Sequence, residues 1–221
     1  MYRRIIGIAV LLSCILIFSL PIMAVGAIVV DGNFNDWVGQ PSLADPVDGG
    51  FIAIDDITRF GWATNPNEER LYFMIERKTY LLHKLWPAHF ILYIDGNDNG
   101  NYGDKHDYYI DIEYKPLLGS VDVDVYDRKG KPVASYIQNG GQIAGVDKVE
   151  FSVPMTDLGI IPPSQTIRMY VVGVESHDRV PNGGDIQWSP IPIMPSWLLA
   201  TIFVAGLIGA VIILKKRRVV C

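Results

Sequence analysis

Hydrophobic and polar residues alternate with a period of two through most of the middle of the chain. Tyr108, Ile110, Ile112 and Tyr114 alternate with Tyr109, Asp111 and Glu113. Val121, Val123 and Val125 alternate with Asp122, Asp124 and Tyr126, and Val149, Phe151 and Val153 with Lys148, Glu150 and Ser152. Side chains on a strand point to opposite faces in turn, so each run predicts a strand with one face inward and one toward water, the signature of antiparallel sheet. Further strands are predicted over Arg59 to Ala63, Leu71 to Glu76, His89 to Ile94, Pro132 to Ile137, Ile167 to Glu175 and Ile186 to Ser189. Asn139-Gly140, between Tyr136-Ile137 and Gln142-Ile143, reads as a hairpin turn, and Tyr80 to Trp86 as room for one helical turn. Eight or nine strands without a long amphipathic helix predict an all-β, antiparallel two-sheet sandwich of jelly-roll-like form over residues 28 to 190.

The two ends have a different pattern. Met1 to Arg4 carries two arginines, Ile5 to Met23 is apolar and Ala24 to Ala27 is small, which reads as a signal peptide over 1 to 27, with an uncleaved N-terminal anchor as the rival. Trp197 to Leu214 is uncharged over 18 residues, enough for about 27 Å of helix, and predicts a C-terminal transmembrane helix after a short Pro-rich linker from residue 191. Lys215 to Arg218 follows at once. The excess of cytoplasmic positive charge near membrane spans puts the tail, 215 to 221, inside and the sandwich outside. The proline, apolar span and basic terminus also resemble a processed prokaryotic sorting signal.

All 24 acidic residues fall in 28 to 190 against 13 basic ones, a net charge of −11 that excludes a nucleic-acid surface. The only cysteines, Cys14 and Cys221, lie in the terminal segments, so the domain has neither a disulfide nor a thiolate metal site. Nucleophile-elbow, zincin, P-loop and dinucleotide motifs are missing, and His83, His89, His106 and His177 have no ligand spacing; the chain reads as non-enzymatic.

Asp95-Gly96-Asn97-Asp98-Asn99-Gly100 satisfies the oxygen-rich pattern of a calcium loop, although strands flank it and His106 stands at its twelfth position. The candidate ligands are Asp95, Asn97, Asn99, Asn101, Asp104 and Asp107, with a plain Asn/Gly turn as the alternative. The all-oxygen donor set favours calcium. Asp31 and Asp36 read as turn-capping carboxylates beside a core Trp37; Asp111, Glu113, Asp122 and Asp124 read as a solvated face. For sugar recognition, which needs aromatic faces beside polar partners, Trp86 with Tyr80 is the leading platform and Trp188 the second, with Trp86 buried as a packing residue as the rival reading.

Four blocks in order, Val30-Asp31-Gly32-Asn33-Phe34-Asn35-Asp36-Trp37, Leu71 to Glu76, Ile91 to Asn97 leading to Asp107-Tyr108, and Glu150 to Pro154 with Asp157-Leu158-Gly159, resemble the family 9 carbohydrate-binding modules and DOMON-like sandwiches. The resemblance implies a non-catalytic β-sandwich that binds saccharide and carries structural calcium. The expectation is a membrane-anchored surface module for carbohydrate. A structural or interaction domain for an envelope protein partner stands as the alternative. A haem-binding electron-transfer domain, which would pair His89 or His177 with Met74 or Met169, is third.

Overall fold

The computed structural model describes residues 26–48, 54–65, 68–78, 83–141, 147–161 and 165–190. The expected signal peptide before residue 26, the linker, span and tail from 191 onward, and Tyr80 lie outside the described residues. Among the described residues no helix is long and apolar enough to cross a membrane.

The described residues contain eleven strands in order: β1 (Ser42–Ala44), β2 (Asp56–Ala63), β3 (Arg70–Lys78), β4 (Ala88–Asp95), β5 (Asp107–Lys115), β6 (Ser120–Asp127), β7 (Pro132–Gln138), β8 (Lys148–Pro154), β9 (Ile167–Gly173), β10 (Arg179–Val180) and β11 (Ile186–Trp188). They form two antiparallel sheets. The smaller runs β1-β2-β3-β8; the larger runs β10-β9-β4-β5-β6-β7, with β11 sharing the outer edge of β9 with β10.

The alternation read from the sequence sets the inner face. Ile110, Ile112 and Tyr114 of β5, Val121, Val123 and Val125 of β6, and Phe90, Leu92 and Ile94 of β4 are wholly buried against Phe60, Phe73 and Phe151 of the smaller sheet. Burying each large apolar side chain contributes roughly 1.5–3 kcal/mol, so this layer accounts for the pairing of the two sheets.

β3 departs from alternation, with Leu71 to Ile75 all buried. The cause is the N-terminal segment, which lies over the outer face of the smaller sheet and makes a second cluster of Ile28, Trp37, Ala63, Tyr72 and Met74. A 3-10 turn over Phe34–Trp37, opened by Asn33 accepting from Asn35 N, delivers Trp37 into that cluster. Asp31 and Asp36 accept the backbone N–H groups of Asn33 and Val29, as capping carboxylates do.

The hairpin expected at Asn139-Gly140 does not form at those residues. The chain crosses instead from β7 to the smaller sheet, where Gly140 O accepts Glu150 N at 2.7 Å and Gly141 bridges to Val149 while donating to Gly119 O. Neither glycine has positive φ. Their role is close approach: a Cβ on Gly140 would overlap the Glu150 carbonyl oxygen, and one on Gly141 the Tyr114 ring. β1 and β10, three and two residues long, were not predicted; β9 ends at Gly173, where a turn begins that returns Asp178 O to Gly173 N.

Candidate functional site

The outer face of the larger sheet brings together residues that lie far apart in sequence. Register aligns His89, Glu113 and Asp122 in one row and Ile91, Asp111 and Asp124 in the next. His89, Asp111, Glu113, Asp122 and Asp124, with Pro87 and Glu175, line a groove of about 410 Å³. His89 pairs with Asp111, and Lys115 Nζ lies 3.2 Å from Glu113 and also bonds Asp122. The four acids read as a solvated face therefore sit side by side along one wall of a concavity.

Trp86 immediately precedes Pro87 at the groove, and its side chain is 53% exposed. Its backbone, by contrast, is held from below. Arg77 of β3, buried and set against the Tyr114 ring, donates to the carbonyls of Ile54 (2.7 Å), Lys84 (3.3 Å) and Trp86 (3.4 Å). Burial pulls the guanidinium's pKa down, opposed by Asp147 4.0 Å away. His83 packs against the indole at 4.6 Å between ring centroids. A buried cation thus fixes the main chain while leaving a large apolar ring in water.

Trp188, the second platform candidate, is in β11 opposite Ile167 and packs on the core. Its partner strand meets β4 at Asp95↔Arg168, whereas Trp86 adjoins the Ala88 end, so the two tryptophans lie at opposite ends of the sheet.

A row of tyrosines crosses the same outer face. Tyr170 stacks on Tyr93 at 4.8 Å and Tyr109 on Tyr126 at 5.0 Å, with Tyr93 and Tyr109 6.3 Å apart. Arg179 caps the far side of Tyr170 at 4.0 Å. Because the stacked pairs turn their faces toward each other, they present edges and hydroxyls rather than flat platforms.

The 95–107 loop gathers the predicted metal ligands. Asp95, wholly buried, accepts the N–H groups of Asn97, Asn99 and Gly100 (2.6 Å for the last). The side-chain amides of Asn97 and Asn99 converge on Asp104 Oδ2 at 2.8 and 2.6 Å, and Asp107 Oδ2 accepts Asp104 N. Asn101 is turned aside, accepting Gly103 N. Asp107 Oδ1 is buried without a partner, and burial raises its carboxyl above the usual range. An oxygen-rich loop with one orphaned carboxylate oxygen fits a hard cation. Asp98 faces away, toward Arg168 and Gln187.

Carboxylates converge more closely elsewhere: among the described residues the trio within 4.8 Å of one another is Asp45, Asp48 and Asp178. The residues proposed for haem are not brought together. Met169 is in the main core, Met74 in the second cluster, His89 on the outer face of the larger sheet and His177 exposed in a turn. No family model, curated protein or solved structure matches this chain.

Proposed function

We propose that this chain is a membrane-anchored surface module, of the jelly-roll-like sandwich type, that binds saccharide in the groove beside Trp86 and carries calcium in the 95–107 loop. The observation that carries the reading is the exposed indole of Trp86, whose main-chain carbonyl Arg77 holds, on the residue that directly precedes Pro87 of a groove walled by Asp111, Glu113, Asp122, Asp124 and Glu175. A pyranose lays its C–H face on an aromatic ring while its hydroxyls donate to acceptors at the side, and carboxylates are the strongest side-chain acceptors. The reading is one of binding rather than catalysis. His89 engages Asp111 and Lys115 engages Glu113 and Asp122, which holds these carboxylates as acceptors in fixed positions.

Anchoring through residues 197–214 and export through the N-terminal segment rest on the sequence pattern. The test is a glycan array with the full chain in detergent micelles and calcium buffer, followed by titration of retained sugars. Trp86→Ala is expected to weaken binding at least tenfold with an unchanged circular dichroism spectrum. Retention of no glycan, or equal binding by the variant, overturns the reading.

A second reading, an interaction domain for an envelope protein, draws on β7, which among the described residues forms an edge of the larger sheet. There Ile137 is 77% exposed and a concavity of about 740 Å³ runs between the strand and Val29. An unpaired strand edge is a template for a partner's strand.

A further inference from the structure

Asp45 follows β1 in the smaller sheet and Asp178 precedes β10 in the larger, so they meet where β2 faces the β10 edge of the sandwich. An oxygen from each of Asp45, Asp48 and Asp178 lies within 4.8 Å of the other two. Two oxygens bound at about 2.4 Å to one calcium ion can be no more than about 4.8 Å apart, so the trio has the span a single ion bridges. We propose that Asp45, Asp48 and Asp178 hold a calcium ion that joins the two sheets at this corner, a site separate from the 95–107 loop.

The second observation is the state of the buried oxygens. Asp178 is 6% exposed; its Oδ2 accepts Ile57 N at 2.7 Å, and its Oδ1 is buried with no hydrogen-bond partner. Asp45 repeats the arrangement: Oδ1 accepts from Asn182 at 3.0 Å and Oδ2 is buried without a partner. Each carboxylate is clamped through one oxygen and leaves the other unsatisfied.

Buried carboxylate oxygens are normally paired, because an uncompensated anion is costly. Among the described residues, no Lys, Arg or His lies within 4.0 Å of these three carboxylates. Asp56, buried at the start of β2, adds a further negative charge. Burial, together with the negative charges of Asp45, Asp48 and Asp56, pushes the Asp178 carboxyl up to about 6.

The chemistry selects the ion. All ligands are oxygen, which disfavours zinc and copper, and the irregular arrangement with Asp48 exposed to solvent suits calcium completed by water better than the strict octahedron of magnesium.

The test is calorimetric titration of the full chain in detergent micelles with CaCl₂, for the wild type, Asp48→Asn, Asp178→Asn and the loop variant Asp104→Asn. The wild type is expected to bind two ions, and each variant to lose one, with at least a tenfold weakening at the altered site. Asp178→Asn keeps an oxygen for Ile57 N, and Asp48→Asn changes an exposed residue, so the test stands if either variant folds. A single site abolished by Asp48→Asn but kept in Asp104→Asn supports the corner site and removes the loop site. Unchanged binding in Asp48→Asn and Asp178→Asn, or no binding by the wild type, overturns the proposal.

Discussion

The indole N–H of Trp37 donates to Oε2 of Glu150 at 2.7 Å, joining residues 113 positions apart beneath the outer face of the smaller sheet. Glu150 is wholly buried, and its Oε1 accepts the N–H groups of Asp31 (3.0 Å) and Gly32 (2.7 Å). One carboxyl group therefore holds the N-terminal segment on β8. Burial outweighs these donors and pushes its pKa up to about 7. Because the folded value lies above the unfolded one, the folded chain keeps a proton that the unfolded chain has released. The resulting stability is complete below about pH 4.5 and is lost as pH rises through about 7. Denaturant unfolding at pH 4.5 and 8 is expected to show this loss, on the order of 3 kcal/mol, and Glu150→Gln to remove that part of the pH dependence.

Gly140→Ala is expected to unfold the crossing between the sheets. Its methyl group meets the Glu150 carbonyl, a backbone atom that cannot swing away, so the cost exceeds about 2 kcal/mol. Thermal unfolding monitored by circular dichroism checks it, and an unaltered Tm would contradict the packing described.

Arg77→Leu leaves the carbonyls of Ile54, Lys84 and Trp86 without their donor. The expected outcome is a loss of about 2–4 kcal/mol and faster proteolytic cleavage at residues 83–87, together with weaker sugar binding than the wild type. Mass spectrometry of limited digests locates the cut.

Calcium is expected to raise the thermal midpoint and EDTA to lower it. Free calcium at a hundred times Kd adds about 2.7 kcal/mol, equivalent to roughly 5–10 °C for a domain of this size. Asp104→Ala, which removes the point on which Asn97 and Asn99 converge, reduces the shift. Identical melting curves in calcium and EDTA would exclude a bound ion.

Tyr93→Ala is expected to destabilise more than Tyr126→Ala, because Tyr93 has ring neighbours on both sides and Tyr126 stacks on Tyr109 at the end of the row. Aromatic pairs add about 0.5–1.5 kcal/mol each beyond their buried area, and equilibrium unfolding of the two variants measures the difference.

The long strands were legible because one face of β5 or β6 meets water and the other the core, and that contrast is written residue by residue. β1 and β10 were not, since two or three residues carry no period. The segment covering β3 hid the alternation of Tyr72 and Met74. For the site, Trp86 was visible as a tryptophan before a proline in a long loop, but Arg77, which holds it, reads in sequence as one more charge on a strand. The tyrosine row and the corner of Asp45, Asp48 and Asp178 depend on register and on contacts more than 100 residues apart, which local spacing does not encode. At Asn139-Gly140 the local turn chemistry was misleading, because tight approach to Glu150 and Tyr114 demands glycine for a different reason.

β11 carries the chain to residue 190 at the end of the larger sheet that holds the 95–107 loop, since Trp188 faces Ile167 beside the Asp95↔Arg168 pair. The groove beside Trp86 opens at the other end of β4, about 24 Å away along a strand of eight residues. Were the chain tethered beyond residue 190 as proposed, the sandwich would serve as a pedestal, with the 95–107 loop at its base and Trp86 at the end farthest from the tether.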